Sequence, residues 1–259
     1  MIMISPLAYV DPSAKIGKNV TVCPFVYIDK NVEIGDDNVI MPHASIMSGA
    51  RVGNGNRIFN GAVIGAEPQD FFYKGEDTIA RIGDKNVIRE NAVVIRATHP
   101  DGETRVGNGN FIMQGARLSH DVHVGHACII GNGSQISGHG VVDDCSILTS
   151  NVLMQGNTHV GKYAVVLGGT NFQKDVPPYC VVNSERGGSF EGVNVTILEH
   201  FHFSETVIKH LNHAFRLLYK VNTTQEEALR RIEEQIPTGP EIVYLVKFIR
   251  ESKLGIISE

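Results

Sequence analysis

An aliphatic residue recurs at every sixth position from Ile4 through Val10, Ile16, Val22, Ile28, Ile34, Ile40, Ile46, Val52 and Ile58 to Ile64. The register restarts at Ile82, Ile88 and Val94. It then runs from Val106 through Ile112, Leu118, Val124, Ile130, Ile136, Val142, Leu148, Met154, Val160 and Val166 to Phe172. A helix buries positions spaced by 3.6 and an alternating strand positions spaced by 2, so strict sixes suit neither for long. They suit a solenoid, in which each repeat buries its apolar side only against its neighbours. Gly often follows the aliphatic residue, as at Gly17, Gly35, Gly53, Gly65, Gly83, Gly107, Gly125 and Gly161, and Asn, Asp and Gly crowd the positions between. This is turn chemistry for φ > 0, so each hexad reads as a short strand and a corner.

The pattern resembles the hexapeptide-repeat acyltransferases, whose signature is an aliphatic residue, usually followed by Gly, every six residues. That resemblance implies a left-handed parallel β-helix with three hexads per triangular coil, assembled as a homotrimer; the periodicity alone implies none of these. Twenty-six hexads at eighteen residues per coil make a prism roughly 40 Å long, at about 4.8 Å per coil.

Two stretches break the register. Ala66 to Ala80 (AEPQDFFYKGEDTIA) carries a Pro and three aromatics, and Arg96 to Arg105 (RATHPDGETR) is polar and marked by Gly and Pro. Long loops on a solenoid are either functional or tolerated insertions, and both readings stand at this point. Pro177 and Pro178 of KDVPPY end the hexad geometry. From Ser204 the period becomes helical, with Val207, Ile208, Leu211, Phe215 and Leu218 on one stripe. Thr224 and Glu227 form a capping box for a second helix to about Ile236, and Pro240 opens a third through Ile242, Leu245, Val246 and Ile249. The expected division is a β-helix over 1–190 and a helical domain over 191–259. The helices carry mixed charge rather than a basic face, so they read as a packed cap with no stable insertion in a membrane.

Composition removes other classes. The chain has 259 residues, 42% of them apolar, and a net charge of −5, which gives no general attraction for nucleic acid. The N-terminal stretch MIMISPLAYVDPSAKIG lacks the charged start and apolar run of a signal peptide, so a cytoplasmic location is expected. Cys23, Cys128, Cys145 and Cys180 contain no CxxC pair and read as small core residues.

Histidine is the commonest general base near neutral pH, and RLSHDVHVGH holds His120, His123 and His126. Spacings of three on a coil with six-residue faces send these side chains apart, which argues against zinc. The eighteen-residue coil places Gly138 and Gly156 in the column of His120, so the imidazole faces open space beside free backbone N–H groups, as a base beside an oxyanion donor would. His139 stacks on Asp121, which could orient it. A surface histidine on a turn explains His120 equally well by spacing alone.

The stretches SHDVHVG, SGH at 137–139, KDVPPY, IGAEPQDFFYKGE and IGDKNVIREN, with the tail ending SKLGII, resemble the UDP-N-acetylglucosamine O-acyltransferases of lipid A biosynthesis over essentially the whole chain. The resemblance implies transfer of a 3-hydroxyacyl chain from acyl carrier protein to the 3-position of UDP-N-acetylglucosamine, with no cofactor and no metal. It further implies that His120 is the general base and Gly138 the oxyanion donor. Gln69, Asp70, His139 and Asn194 would contact substrate and Gly168 would be the acyl-chain ruler; Asp121, Arg117 and Gln155 fall in the same substrate-binding set. The chain departs from the family pattern at Arg117 and at Gln155-Gly156, and His200-Phe201 stand where an Arg pair grips the nucleotide phosphates. Arg186 or Arg117 is therefore a candidate for phosphate charge. Arg96, Arg105, Lys162 and Lys174 are candidates for docking the acidic carrier. A 3-amino sugar, acetyl-CoA as donor, a γ-carbonic-anhydrase-like zinc site and a non-catalytic scaffold remain the alternatives.

Overall fold

Each repeat residue lies in a short strand, most of two residues, in the computed structural model, which describes residues 3–259. Met1 and Ile2, the start of the stretch read for a targeting signal, lie outside the described residues. Successive strands turn onto three sheets of 11, 9 and 8 strands, and each pairs in parallel with the strand one coil on, as Ile4 with Val22 and Val10 with Ile28. This is the expected left-handed parallel β-helix followed by C-terminal helices. Its first, second and third faces begin with Met3–Ile4, Tyr9–Val10 and Lys15–Ile16.

The repeat side chains fill the prism. Ile28, Ile40, Ile46, Ile58, Ile64 and Ile88 are fully buried, each contributing about 1.5–3 kcal/mol relative to exposure. Ile4, at the open N-terminal end, has no coil beneath it and stays 44% exposed. One corner is held by a buried ladder in which Asn38, Asn56 and Asn86 each accept from the backbone N–H of the next asparagine at 2.8 Å, ending on Asn110. Cys128 and Cys180 are core residues, and burial pushes the Cys128 thiol up to about 12. Cys23 and Cys145 are only half-buried, a departure from the expected core placement.

The glycines after the aliphatic residues need a different explanation from the one their spacing suggests. Of those eight only Gly65 has positive φ; the positive φ falls three places after the repeat residue, at Asn19, Asp37, Asp121 or His139. The others are Gly because coils stack closely there: a Cβ on Gly35 would lie 2.8 Å from Gly53 O.

The two interruptions lengthen single coils. Ile58 pairs with Ile88 and Ile88 with Ile112, separations of 30 and 24 residues, before the spacing of 18 resumes at Ile112 with Ile130. Pro177 and Pro178 end the hexads without ending the sheet. Val166 pairs in parallel with Val182, 16 residues on, so the last coil is two residues short. Cys180–Asn183 then forms an antiparallel hairpin with Ser189–Val193.

The helical region holds one helix more than its periodicity suggests. α1 (Val195–His200) precedes α2 (Glu205–Phe215), α3 (Gln225–Gln235) and α4 (Pro240–Glu251). Ser204 and Thr224 accept from the N–H groups of Val207 and Glu227, both at 3.3 Å. The Thr224 box is half-made, because the Glu227 carboxylate accepts from Arg230 and Arg231 instead. The tail straps back onto the solenoid: Asp175 N–H donates to Gly255 O and Ile257 N–H to Asp175 O, both at 2.9 Å.

Candidate active site

The corner between the second and third faces collects the chemistry. His120 and Asp121 lie there, between Arg117–Leu118 and His123–Val124. Both loops leave from the same edge on the two preceding coils: 67–78 between Val63–Ala66 and Ile79–Ile82, and 96–102 between Val93–Ile95 and Glu103–Val106. The register breaks therefore build walls beside His120.

Asp121 Oδ2 lies 2.9 Å from His120 Nδ1 and also accepts from Thr98 N–H at 3.2 Å. A carboxylate only accepts, so Nδ1 carries the proton and Nε2 is left as the basic nitrogen. The sequence-based expectation paired Asp121 with His139. The corner conformation of Asp121, φ 58, instead turns the carboxylate back to its own neighbour. Thr104 Oγ1 accepts from Asp121 N–H at 2.8 Å and fixes that corner. His139 stands edge-on to His120, ring centroids 5.4 Å apart.

Gly138 sits one coil above His120. A Cβ there would lie 2.6 Å from His120 Nε2, so only glycine leaves the imidazole its place. The Gly138 N–H has no acceptor among the described residues, while its carbonyl accepts from Asn157 N–H at 3.0 Å. Gly156 continues the cleared column, its absent Cβ 3.1 Å from Gly138 O.

The first loop supplies Gln69 and Asp70. Arg117 Nη2 donates to Gln69 Oε1 at 2.7 Å, tying loop to solenoid. Asp70 Oδ2 accepts from Thr98 Oγ1 at 3.0 Å and lies 3.8 Å from His120 Nδ1. The Phe72 N–H and the Thr98 hydroxyl, with His120 and His99 nearby, hold the Asp70 carboxyl below its ordinary range. Phe71 and Phe72 beside it stand fully and largely exposed.

Other predicted residues lie elsewhere. Asn194 is buried, its side chain accepting from Ile197 N–H as the cap of α1 and donating to Tyr163 O at 2.8 Å. Gly168 lies at a different corner, between Val165–Val166 on the first face and Asn171–Phe172 on the second. Gln155 donates to Asn171 Oδ1 at 3.0 Å and lines a 340 Å³ cavity with Lys174 and Arg186. Arg96, expected on a docking surface, is instead buried under the first loop, donating to Tyr73 Oη at 2.6 Å and Gly65 O at 3.1 Å. Lys162 pairs with Asp144 at 2.9 Å and Arg105 lies 3.8 Å from Glu103.

His123 Nε2 lies against Glu103 O, and His126 Nδ1 accepts from Asn108 N–H, so these two point away from His120. His120, Asp121 and His139 offer ligand atoms within 4.8 Å of one another. Within that group Asp121 Oδ2 and His120 Nδ1 already face each other at 2.9 Å. Thr98, Thr104 and Arg96 carry no repeat signal, and only their place in a register break pointed to the site.

A family described as UDP-N-acetylglucosamine O-acyltransferase, domain 2, matches residues 175–257, and the hexapeptide transferase repeat matches 31–66 and 103–138. A protein of Pseudomonas entomophila named acyl-[acyl-carrier-protein]–UDP-N-acetylglucosamine O-acyltransferase is 40% identical over 261 residues, 99% of each chain. The crystal structure of a UDP-N-acetylglucosamine acyltransferase from Bacteroides fragilis superposes with a TM-score of 0.97 at 47% identity, covering 98% of this chain and 100% of that one. The corresponding Francisella novicida structure gives 0.94 at 34% identity over 99% and 94%. With full-length identity at this level and the same repeat and C-terminal domain, the chain belongs to the UDP-N-acetylglucosamine O-acyltransferase family.

Proposed function

We propose that this chain transfers a 3-hydroxyacyl group from acyl carrier protein to the 3-hydroxyl of UDP-N-acetylglucosamine, the first step of lipid A biosynthesis, with His120 as general base. The observation that carries this is the oriented imidazole: Nδ1 is held by Asp121, and Nε2 faces a column cleared by Gly138 and Gly156. Nε2 takes the proton of the sugar hydroxyl as that oxygen attacks the thioester carbonyl carbon. The Gly138 N–H donates to the oxyanion that forms. Collapse breaks the C–S bond, and the leaving thiolate takes the proton from the imidazolium. Asp121, with Asp70 at 3.8 Å, stabilises that cation while it exists. Neither a covalent enzyme intermediate nor a cofactor is required.

Gln69, Asp70 and His139 surround the position where the sugar would sit, and Arg117 serves by holding Gln69. Assembly as a homotrimer, a cytoplasmic location, docking of the carrier and the ruler role of Gly168 at an interface complete the proposal and rest on the resemblance. Among the described residues no helix is long and apolar enough to cross a membrane. The test is to incubate the protein with UDP-N-acetylglucosamine and a panel of 3-hydroxyacyl carrier proteins and to look for the acylated nucleotide sugar by mass. Product only from a 3-amino sugar, or only from acetyl-CoA, would replace the substrate assignment.

A further inference from the structure

Three coils beyond His120, the same column ends at a cation. The strands ending in Leu118, Ile136, Met154 and Phe172 pair in succession, and the residues two places after them are His120, Gly138, Gly156 and Lys174. With coils about 4.8 Å apart, Lys174 stands roughly 14 Å from His120 along an edge with no side chain between them. There the 340 Å³ cavity opens, with Lys174 and Arg186 on its wall beside Gln155, Asn171 and Ser258.

The two cations are unclaimed. Among the described residues neither Lys174 nor Arg186 makes an ion pair, and both are exposed. Arg186 also lines an adjoining depression with Glu185 and Glu259, but it forms an ion pair with neither, and Glu259 pairs with Lys220. Arg186 is held with φ 48 and followed by Gly187 and Gly188, both at positive φ, and all three residues of this turn line the cavity. Arg117, the other cation considered for this role, is already bonded to Gln69.

We propose that this cavity is an anion site in which Lys174 and Arg186 hold a phosphate ester of a substrate bound along the His120 column. The inference rests on the acyltransferase reading. Both substrates of that reaction carry phosphate, the acceptor as a diphosphate joining sugar to nucleoside and the donor at the base of its thiol arm. A guanidinium grips phosphate with two N–H groups and an ammonium adds a point charge.

The test compares wild type with Lys174→Ala, Arg186→Ala and the double variant by steady-state kinetics and by calorimetric titration with UDP in the absence of donor. Each loss is expected to weaken binding about tenfold, as a charge-assisted hydrogen bond does, with the effect concentrated in KM and Arg186→Lys restoring part of it. A raised KM for the nucleotide sugar together with weakened UDP binding assigns the anion to the acceptor. A raised KM for the acyl carrier protein, with UDP binding unchanged, assigns it to the donor arm. Variants that keep both KM values and the UDP affinity of an active wild type overturn the anion site and leave the acyltransferase reading intact. Thermal melting checks that these exposed substitutions leave the fold alone.

Discussion

The imidazole of His120 occupies the space that a side chain on Gly138 would need, its Nε2 2.6 Å from where a Cβ would stand. Gly138→Ala therefore has to move either the ring or the coil above it. Activity should fall at least about a hundredfold, as loss of a positioned base predicts, with the protein still folded. Gly156→Ala, whose Cβ would meet Gly138 O at 3.1 Å and Ser137 Cβ at 4.0 Å, should cost less. Comparing kcat and melting temperature for the two variants checks the order.

Asp121→Asn keeps the shape of the side chain but offers the ring an amide in place of a carboxylate. The imidazole can then expose its N–H at Nε2, where the proposed mechanism needs a base. A loss of at least about tenfold in kcat is expected, since the same exchange in other His–Asp pairs costs more than that. Fold and substrate KM should change little.

Asp70 gives a pH prediction. Its carboxyl is held below the ordinary range by the Phe72 N–H, Thr98, His120 and His99. A depressed folded value means that the stabilisation is complete above the unfolded value, about 3.9, and is lost as pH falls through the lower folded one. Wild type should melt higher than Asp70→Asn at neutral pH, and the gap should close only in strong acid. A gap that already closes at pH 5 would contradict the assignment.

Asn194 distinguishes a structural from a substrate role. It is buried, caps α1 and donates to Tyr163 O. Asn194→Ala should cost about 2 kcal/mol of stability, from the lost cap and an unpaired carbonyl. Denaturant unfolding measures this directly. A variant of unchanged stability with a raised acceptor KM would place the side chain at the substrate instead.

Much of the molecule was legible in the sequence, for a physical reason. The repeat residue is the one that must point into the prism, so Ile28 through Phe172 report the fold directly, and the eighteen-residue stacking puts His120 under Gly138 without any coordinates. Contacts that cross between loops left no periodic trace, so the use of Thr98 and the burial of Arg96 could not be read. The pairing of Asp121 with His120 rather than His139 depends on one backbone angle at a corner. At the glycines of the third-face edge, close coil stacking and not positive φ excludes a side chain, a constraint between coils that the spacing alone does not reveal. α1, six residues long, is too short to show an apolar stripe, so the capping role of Asn194 left no periodic trace.

In the proposed reaction an oriented His120 activates a sugar hydroxyl. The most direct test of that role is the rate of acyl transfer from 3-hydroxyacyl carrier protein to UDP-N-acetylglucosamine by wild type and by His120→Ala, with both shown to be folded. Transfer by the wild type should fall at least about a hundredfold in the variant. Equal rates in the two proteins would contradict that role.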